Sequence, residues 1–328
     1  MGRLRDDSIA FETLVDATAA ALEIDPAFVE KDFWVIESLR AATVYIESSS
    51  EAAGATLIFK GGTSLSRVYE LIERFSEDVD LLFGFPDSTG ESRRERVLKG
   101  VSSAVREHLG LSIEHAPSDS QTRGVSRSTR YFYPILKSST AISAGVYLEM
   151  GTRGGTFPTS DHDVRSMVAR HAIETLDETP DAWDEFAAVR VTVLSPERTL
   201  LEKLTLLNTF SVAFESGDAE ALDRHGRHLY DIHQLLNDAG VAKTLNELGR
   251  SGVDRLCRDI QEQSHAAGFA CAPRPAGGFG GGAIFSKGSR ANERLNVAYQ
   301  SALDLVYGSK KPSFEDCVKT IVRTNELL

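Results

Sequence analysis

The sequence predicts an α+β fold with a helical N-terminal cap, a strand-bearing middle and a mostly α-helical C-terminal half. Three observations predict it. Apolar residues keep helical spacing through the first forty positions, short β-type runs alternate with glycine turns between residues 56 and 150, and beyond residues 190–194 the helical period returns for most of the chain.

Phe11, Leu14, Val15 and Leu22 outline a first helix. Asp25-Pro26 is a cap followed by a first-turn proline, and it opens a second helix through Phe28, Phe33, Trp34, Ile36 and Leu39. Residues 56–59 (Thr-Leu-Ile-Phe) read as a short strand that breaks on Lys60-Gly61-Gly62. Thr63 and Ser64 suit a helix cap, and Leu65, Val68, Tyr69 and Ile72 give the amphipathic helix after it. A strand over residues 76–83 follows, on which alternation places Asp78 and Asp80 on one face and Val79 and Leu81 on the other. A charged helix is expected over 91–109, then strands over 129–136 and 144–150, the latter closed by a turn at 151–155. The boundary near residue 195 divides the chain into 1–194 and 195–328. Residues 265–290 carry seven glycines and the prolines Pro273 and Pro275, so this stretch is expected to be a long loop, either functional or disordered.

Composition excludes several classes. The 328 residues include 41% hydrophobic and 26% charged positions, enough to bury a core and unlike a disordered or fibrous chain. No apolar run approaches the length of a membrane helix, and the N-terminus lacks the pattern of a secretion signal. Cys257, Cys271 and Cys317 have no CxxC spacing and read as reduced thiols, so a cytoplasmic protein is expected. With 36 Lys+Arg against 48 Asp+Glu the net charge is −12, which argues against gripping nucleic acid over the whole surface.

The chemistry concentrates in Gly61-Gly62-Thr63-Ser64, in Asp78-x-Asp80 and in a third acid, Glu149, near the end of a later strand. Carboxylates at i and i+2 on one strand point the same way and can share divalent cations; Mg²⁺ favours such groups together with substrate phosphates. Upstream, a glycine turn that enters a helix offers free N–H groups and the helix dipole to a phosphate. One end of the strand–turn–helix–strand unit suits phosphate and the other suits metal.

Residues 59–66 (FKGGTSLS) followed by 74–81 (RFSEDVDL) resemble the signature of the AbiEii/AbiGii nucleotidyltransferase-like toxins, the toxin half of a bacterial type IV system that includes the MenT proteins. Residues 29–35 (VEKDFWV), 197–204 (ERTLLEKL) and 227–232 (RHLYDI) resemble further segments of that family, so the likeness spans roughly residues 29 to 316. It implies a nucleotidyltransferase-like mixed β-sheet core and an NTP substrate.

By that resemblance Asp78 and Asp80 hold Mg²⁺ or Mn²⁺, with Glu149 as third metal ligand. Lys60, Gly61, Gly62, Thr63 and Ser64 cradle the phosphates, and Ser76, two residues before Asp78, adds its hydroxyl. Lys203 is the cation for the triphosphate, on a helix whose apolar face carries Leu200, Leu201, Leu204 and Leu207. Asp231 orients Lys203 or acts as a base towards an acceptor hydroxyl; from the residues alone it is equally an i, i+4 partner of Arg227 on an exposed helix. His228 is assigned to packing. An acidic stretch at 215–220 lengthens the spacing from Lys203 to Asp231.

The implied acceptor is RNA, specifically a tRNA 3′ end, whose modification blocks translation and growth; the implied protein partner is an antitoxin encoded nearby. Two local clusters offer cations for RNA: Arg123, Arg127, Arg130 and Lys137 around Tyr131, Phe132 and Tyr133, and Lys287, Arg290 and Arg294 after the glycine-rich stretch. The rival readings are a protein-modifying enzyme or phosphotransferase at the same site, and a non-catalytic nucleotide-binding protein.

Overall fold

A computed structural model describes residues 2–76, 78–152, 154–308 and 310–328. Glu77 and Arg153, which belong to the motif over 74–81 and the turn at 151–155, lie outside the described residues. The chain forms two compact units. The first comprises Met1–Val68, Ser76–Thr152 and Thr159–Val193; the second comprises Tyr69–Phe75, Arg153–Pro158 and Leu194–Leu328.

The first unit opens with α1 (Ser8–Leu22) and α2 (Pro26–Ser48), the helical cap the sequence predicts. The side chain of Asp25 accepts from the amide of Ala27 and Pro26 occupies the first turn, as the sequence indicates. Then come β1 (Thr56–Lys60), α3 (Gly61–Arg67), β2 (Asp78–Gly84), α4 (Glu91–His108), β3 (Ser118–Thr122), β4 (Ser126–Tyr131), β5 (Val146–Gly151), β6 (Thr159–Val164), α5 (Met167–Thr175) and β7 (Val189–Leu194). Seven strands form one mixed sheet in the order β3-β4-β5-β2-β1-β7-β6. β2 lies at its centre, antiparallel to β1 and parallel to β5.

Burial alternates along the central strands. Val79 and Leu81 of β2, with Val146, Leu148 and Met150 of β5, are buried. Asp78 and Asp80 are half-buried, and Glu149 is exposed. The sheet therefore packs one face into the core and leaves an open face that carries the acids.

α2 is buried along Ala27–Leu39, including the charges Glu30, Lys31 and Asp32 within residues 29–35. Each has a partner. Glu30 accepts from the amides of Leu136 and Lys137, Lys31 donates to the Ser143 carbonyl, and Asp32 pairs with Arg67 at 2.6 Å while accepting from the Met167 amide. The buried charges thus tie α2 to loops and to the last turn of α3, which is how buried ions are tolerated.

Three local expectations differ. Helix α3 starts at Gly61 and stops at Arg67, without reaching Ile72, because residues 69–75 leave the helix and pair in the second unit: Phe75 donates to the Leu305 carbonyl, and Tyr307 and Gly308 donate to that of Glu73. The strand expected over 129–136 ends at Tyr131; Pro134 lacks an N–H for the ladder, and the amides of Leu136 and Lys137 go to Glu30. β2 begins at Asp78, so Ser76 precedes the strand rather than sharing its face.

The second unit contains α6 (Pro196–Glu215), α7 (Gly226–Asn237), α8 (Ala239–Ala266), α9 (Arg290–Ala302) and α10 (Phe314–Arg323). α8 breaks at Gly249, whose φ is 61°. The glycine-rich stretch is anchored within this unit: Phe279, Ile284 and Phe285 are buried, Gly280 donates to Asn325 Oδ1 at 2.7 Å, and Arg274 pairs with Asp254 at 2.7 Å. Among the described residues no helix is long and apolar enough to cross a membrane, and all three cysteines are free.

Candidate active site

In the first unit, β1 delivers the chain into Gly61, whose φ of 82° is the left-handed conformation a glycine adopts without strain. That turn brings the backbone against Asp80: a β-carbon at Gly61 would lie 1.9 Å from Asp80 Oδ2. The acidic pair and the glycine turn therefore meet directly. Lys60 pairs in register with Asp80 across the β1–β2 ladder.

Thr63 and Ser64 are not caps. They lie inside α3, both buried; the Thr63 hydroxyl donates to the Asp78 carbonyl, and the Ser64 hydroxyl donates to the Gly61 carbonyl at 2.9 Å. Thr63 thus fixes α3 to the start of β2. Ser64 holds the glycine turn, so its hydroxyl proton is already engaged with backbone and not offered to a phosphate. The first-turn amides of α3 have no intrahelical acceptor and remain the donors the turn can present.

Glu149 pairs in register with Asp80, but its side chain is exposed. Among the described residues no group of three or more His, Cys, Asp and Glu side chains converges to hold a metal ion. Two carboxylates on one strand, with substrate phosphates completing the shell, fit Mg²⁺. Asp78 and Asp80 lie half-buried on one strand face, and Glu149 stands exposed beside Asp80 on the neighbouring strand.

The second unit carries the other predicted residues. Asp231 on α7 is completely buried. Arg74 grips it with two hydrogen bonds, Nε to Oδ1 at 2.6 Å and Nη2 to Oδ2 at 2.7 Å, and Lys203 Nζ of α6 reaches Oδ2 at 2.8 Å. Lys203 is 6% exposed, so it is neither a solvated helix position nor distant from Asp231 despite the acidic stretch between them. Asp231 is thus a buried carboxylate paired with Arg74 and Lys203, not a residue of an exposed helix face.

Burial would raise the Asp231 carboxyl, yet the charges of Arg74 and Lys203 hold it below the usual carboxylate range. With both oxygens engaged by cations, Asp231 suits orientation of Lys203 and is poorly suited to take a proton. Burial lowers the Lys203 ammonium, opposed by the charge of Asp231. His228 Nδ1 lies 3.4 Å from Lys203 Nζ, and burial together with the Lys203 charge pushes the imidazole well below its ordinary range. A neutral ring accepts from the ammonium, so Asp231 and His228 take two of the three Lys203 protons and one remains. His228 also stacks on His225, with centroids 5.4 Å apart.

Arg74 and His228 are the residues the sequence assigned no chemical role. Arg74 lies 157 positions from its carboxylate, and no local spacing signals such a pair.

Most cations of the two basic clusters are paired with carboxylates, three of four in the first and one of three in the second. Arg127 is buried against Glu95 at 2.9 Å, Arg123 pairs with Glu91 at 3.2 Å, and Lys137 pairs with Glu12 and Asp16 at 2.8 and 2.9 Å. Tyr131 and Tyr133 are buried, Tyr133 stacked on Trp34. Arg294 pairs with Asp223, leaving Lys287 and Arg290 exposed in the second cluster.

The family comparison agrees with the motif reading. A family model described as nucleotidyl transferase AbiEii toxin, type IV TA system, matches residues 46–319. No curated protein matches the sequence. Among solved structures, the nucleotidyltransferase toxin MenT4 from Mycobacterium tuberculosis H37Rv is similar at 15% identity with a TM-score of 0.40, covering 95% of this chain and 94% of that one. The family match extends over most of the sequence, from before the glycine turn to beyond α9, and on it the chain belongs to the AbiEii family of nucleotidyltransferase toxins.

Proposed function

We propose that the protein transfers a nucleoside monophosphate from an NTP to the 3′ end of an RNA, a tRNA in the family's setting, and that this transfer blocks translation until an antitoxin opposes it. The observation that carries the reading is the meeting of Asp80 with Gly61, which brings a two-carboxylate strand face against the backbone of a glycine turn.

Asp78 and Asp80 are the residues that would hold Mg²⁺ or Mn²⁺, which supplies charge neutralisation on the phosphates. The α3 amides and Lys60 serve the phosphate chain. Lys203, held in the second unit by Asp231 and His228, is the cation we assign to the NTP phosphates. The acceptor hydroxyl attacks the α-phosphorus, the bond to pyrophosphate breaks, and the hydroxyl proton leaves to solvent. Ser76 and Glu149 have no assigned step.

Asp80→Asn is expected to abolish both growth inhibition and incorporation of α-labelled nucleotide into total bacterial RNA. A variant that incorporates label at the wild-type rate overturns the reading. Parallel reactions with γ-labelled NTP separate phosphate transfer, because only nucleotidyl transfer leaves the α-label on the acceptor.

A further inference from the structure

The open face of the sheet in the first unit continues past the acidic pair. In the ladder β2–β5, Asp78 registers with Tyr147 and Asp80 with Glu149; in the ladder β5–β4, Tyr147 registers with Arg130 and Glu149 with Ser128. Registered residues share a face. Two rows therefore cross the sheet side by side. One runs Lys60, Asp80, Glu149, Ser128, and the other runs Asp78, Tyr147, Arg130. Tyr147 and Arg130 are both half-buried, and the Arg130 guanidinium lies over the Tyr147 ring, 4.7 Å from its centroid.

The strand order gives this pair its meaning. β1, with Lys60 and the glycine turn, flanks β2 on one side; β5 and then β4 flank it on the other. In-line displacement at phosphorus places the leaving pyrophosphate and the attacking hydroxyl on opposite sides of the reacting centre. If the phosphate chain lies towards β1, the attacking group enters over β5 and β4. The row from Lys60 to Ser128 covers three strand spacings, about 14 Å, enough for a triphosphate and a terminal nucleotide end to end.

We propose that Tyr147 and Arg130 form the acceptor subsite, seating the 3′-terminal nucleotide of a single-stranded RNA end. This rests on the nucleotidyl-transfer reading above. A guanidinium over a phenol ring offers what an unstacked RNA end requires: a flat surface for the base and a fixed positive charge for the adjoining phosphate. Among the described residues Arg130 has no carboxylate partner, unlike Arg123, Arg127 and Lys137; its Nη1 donates to the Ala144 carbonyl at 3.2 Å, which leaves the charge of the guanidinium uncompensated. A protein of net charge −12 needs such a local cation at the acceptor position, beside the carboxylates that would otherwise repel RNA.

The test uses the full-length protein with Mg²⁺ and a short fluorescein-labelled single-stranded RNA ending in a free CCA 3′ end, read by anisotropy at low salt. Affinity for a fluorescent NTP analogue is measured in parallel. Tyr147→Ala and Arg130→Gln are expected to weaken RNA binding about tenfold each, in the range one stacking contact carries, with NTP affinity unchanged. Tyr147→Phe, which keeps the ring, retains RNA binding, and thermal melts of each variant exclude misfolding as the cause.

Three results overturn the proposal: wild-type protein that does not bind the RNA, Ala and Gln variants that bind it as wild type does, or a loss that falls equally on the NTP. Failure of nucleotidyl transfer itself has a separate signature, since wild type would then bind the RNA through Tyr147 and Arg130 yet leave no α-label on it.

Discussion

The carboxylate of Asp80 occupies the space that any side chain at Gly61 would need, with Oδ2 1.9 Å from the position of a β-carbon there. Two requirements thus fall on one residue: Gly61 must adopt a φ of 82°, and it must leave room for an acid arriving from the neighbouring strand. Either alone would favour glycine.

Gly61→Ala is therefore expected to act twice. The left-handed backbone costs an alanine about 1–2 kcal/mol, and the methyl group drives Asp80 from its position. A moderate fall in melting temperature should accompany a loss of nucleotide incorporation of at least an order of magnitude. An alanine variant with full activity would show that the Asp80 position is not the reactive one.

Much of this was legible in the sequence because local chemistry set it. Asp25-Pro26 announced α2, alternation announced the open face of β2, and the glycine turn announced the entry to α3. What was not legible depends on distant partners. β3 is exposed at every position and β6 at most, and both lie at sheet edges without an apolar alternation to reveal them. The helical spacing of Tyr69 and Ile72 misled because residues 69–75 gain backbone partners at 305–308 that a local pattern does not contain. In the same way Arg123, Arg127 and Lys137 read as a surface patch because their carboxylates, on α1 and α4, are distant in the sequence.

Asp231 and Lys203 are expected to separate stability from activity. Asp231→Asn leaves Arg74 and Lys203 buried without a counter-charge, and breaking such a pair costs about 3–5 kcal/mol. Lys203→Met leaves Asp231 in the two-pronged grip of Arg74 and fills the volume with an apolar chain, so it should melt close to wild type. Both should lose incorporation. The decisive comparison is the thermal melt: a Lys203→Met protein as unstable as Asp231→Asn would mean that Lys203, not Arg74, neutralises the carboxylate.

Lys137 supplies a negative control for RNA recognition. Its ammonium is held by Glu12 and Asp16, and exposed pairs of this kind contribute about 0–1 kcal/mol. Lys137→Ala should lower stability within that range and leave the RNA affinity and its salt dependence unaltered. A clear weakening of RNA binding would restore the surface-patch reading.

His225 carries the pH dependence that is easiest to isolate. Its ring stacks on Phe210 with centroids 3.8 Å apart, and burial, helped by the charges of Arg227 and Arg224, pushes it down to about 4. In the unfolded chain the same imidazole titrates near 6.5. Between those values the unfolded state binds the proton and the folded state does not, so this residue makes stability rise with pH, and its contribution is lost as pH falls from about 6.5 towards 4. Asp231 loses its own contribution only below the ordinary aspartate range, outside this window. Glu30 and Asp32, raised by burial, act in the opposite sense within it. The measurement is therefore a difference, the melting temperature of wild type minus that of His225→Phe at each pH from 7.5 to 4.5. The phenyl ring keeps the stack and cannot protonate, so the difference should move against wild type as pH falls; a flat difference would mean that His225 protonates equally in the folded and unfolded protein.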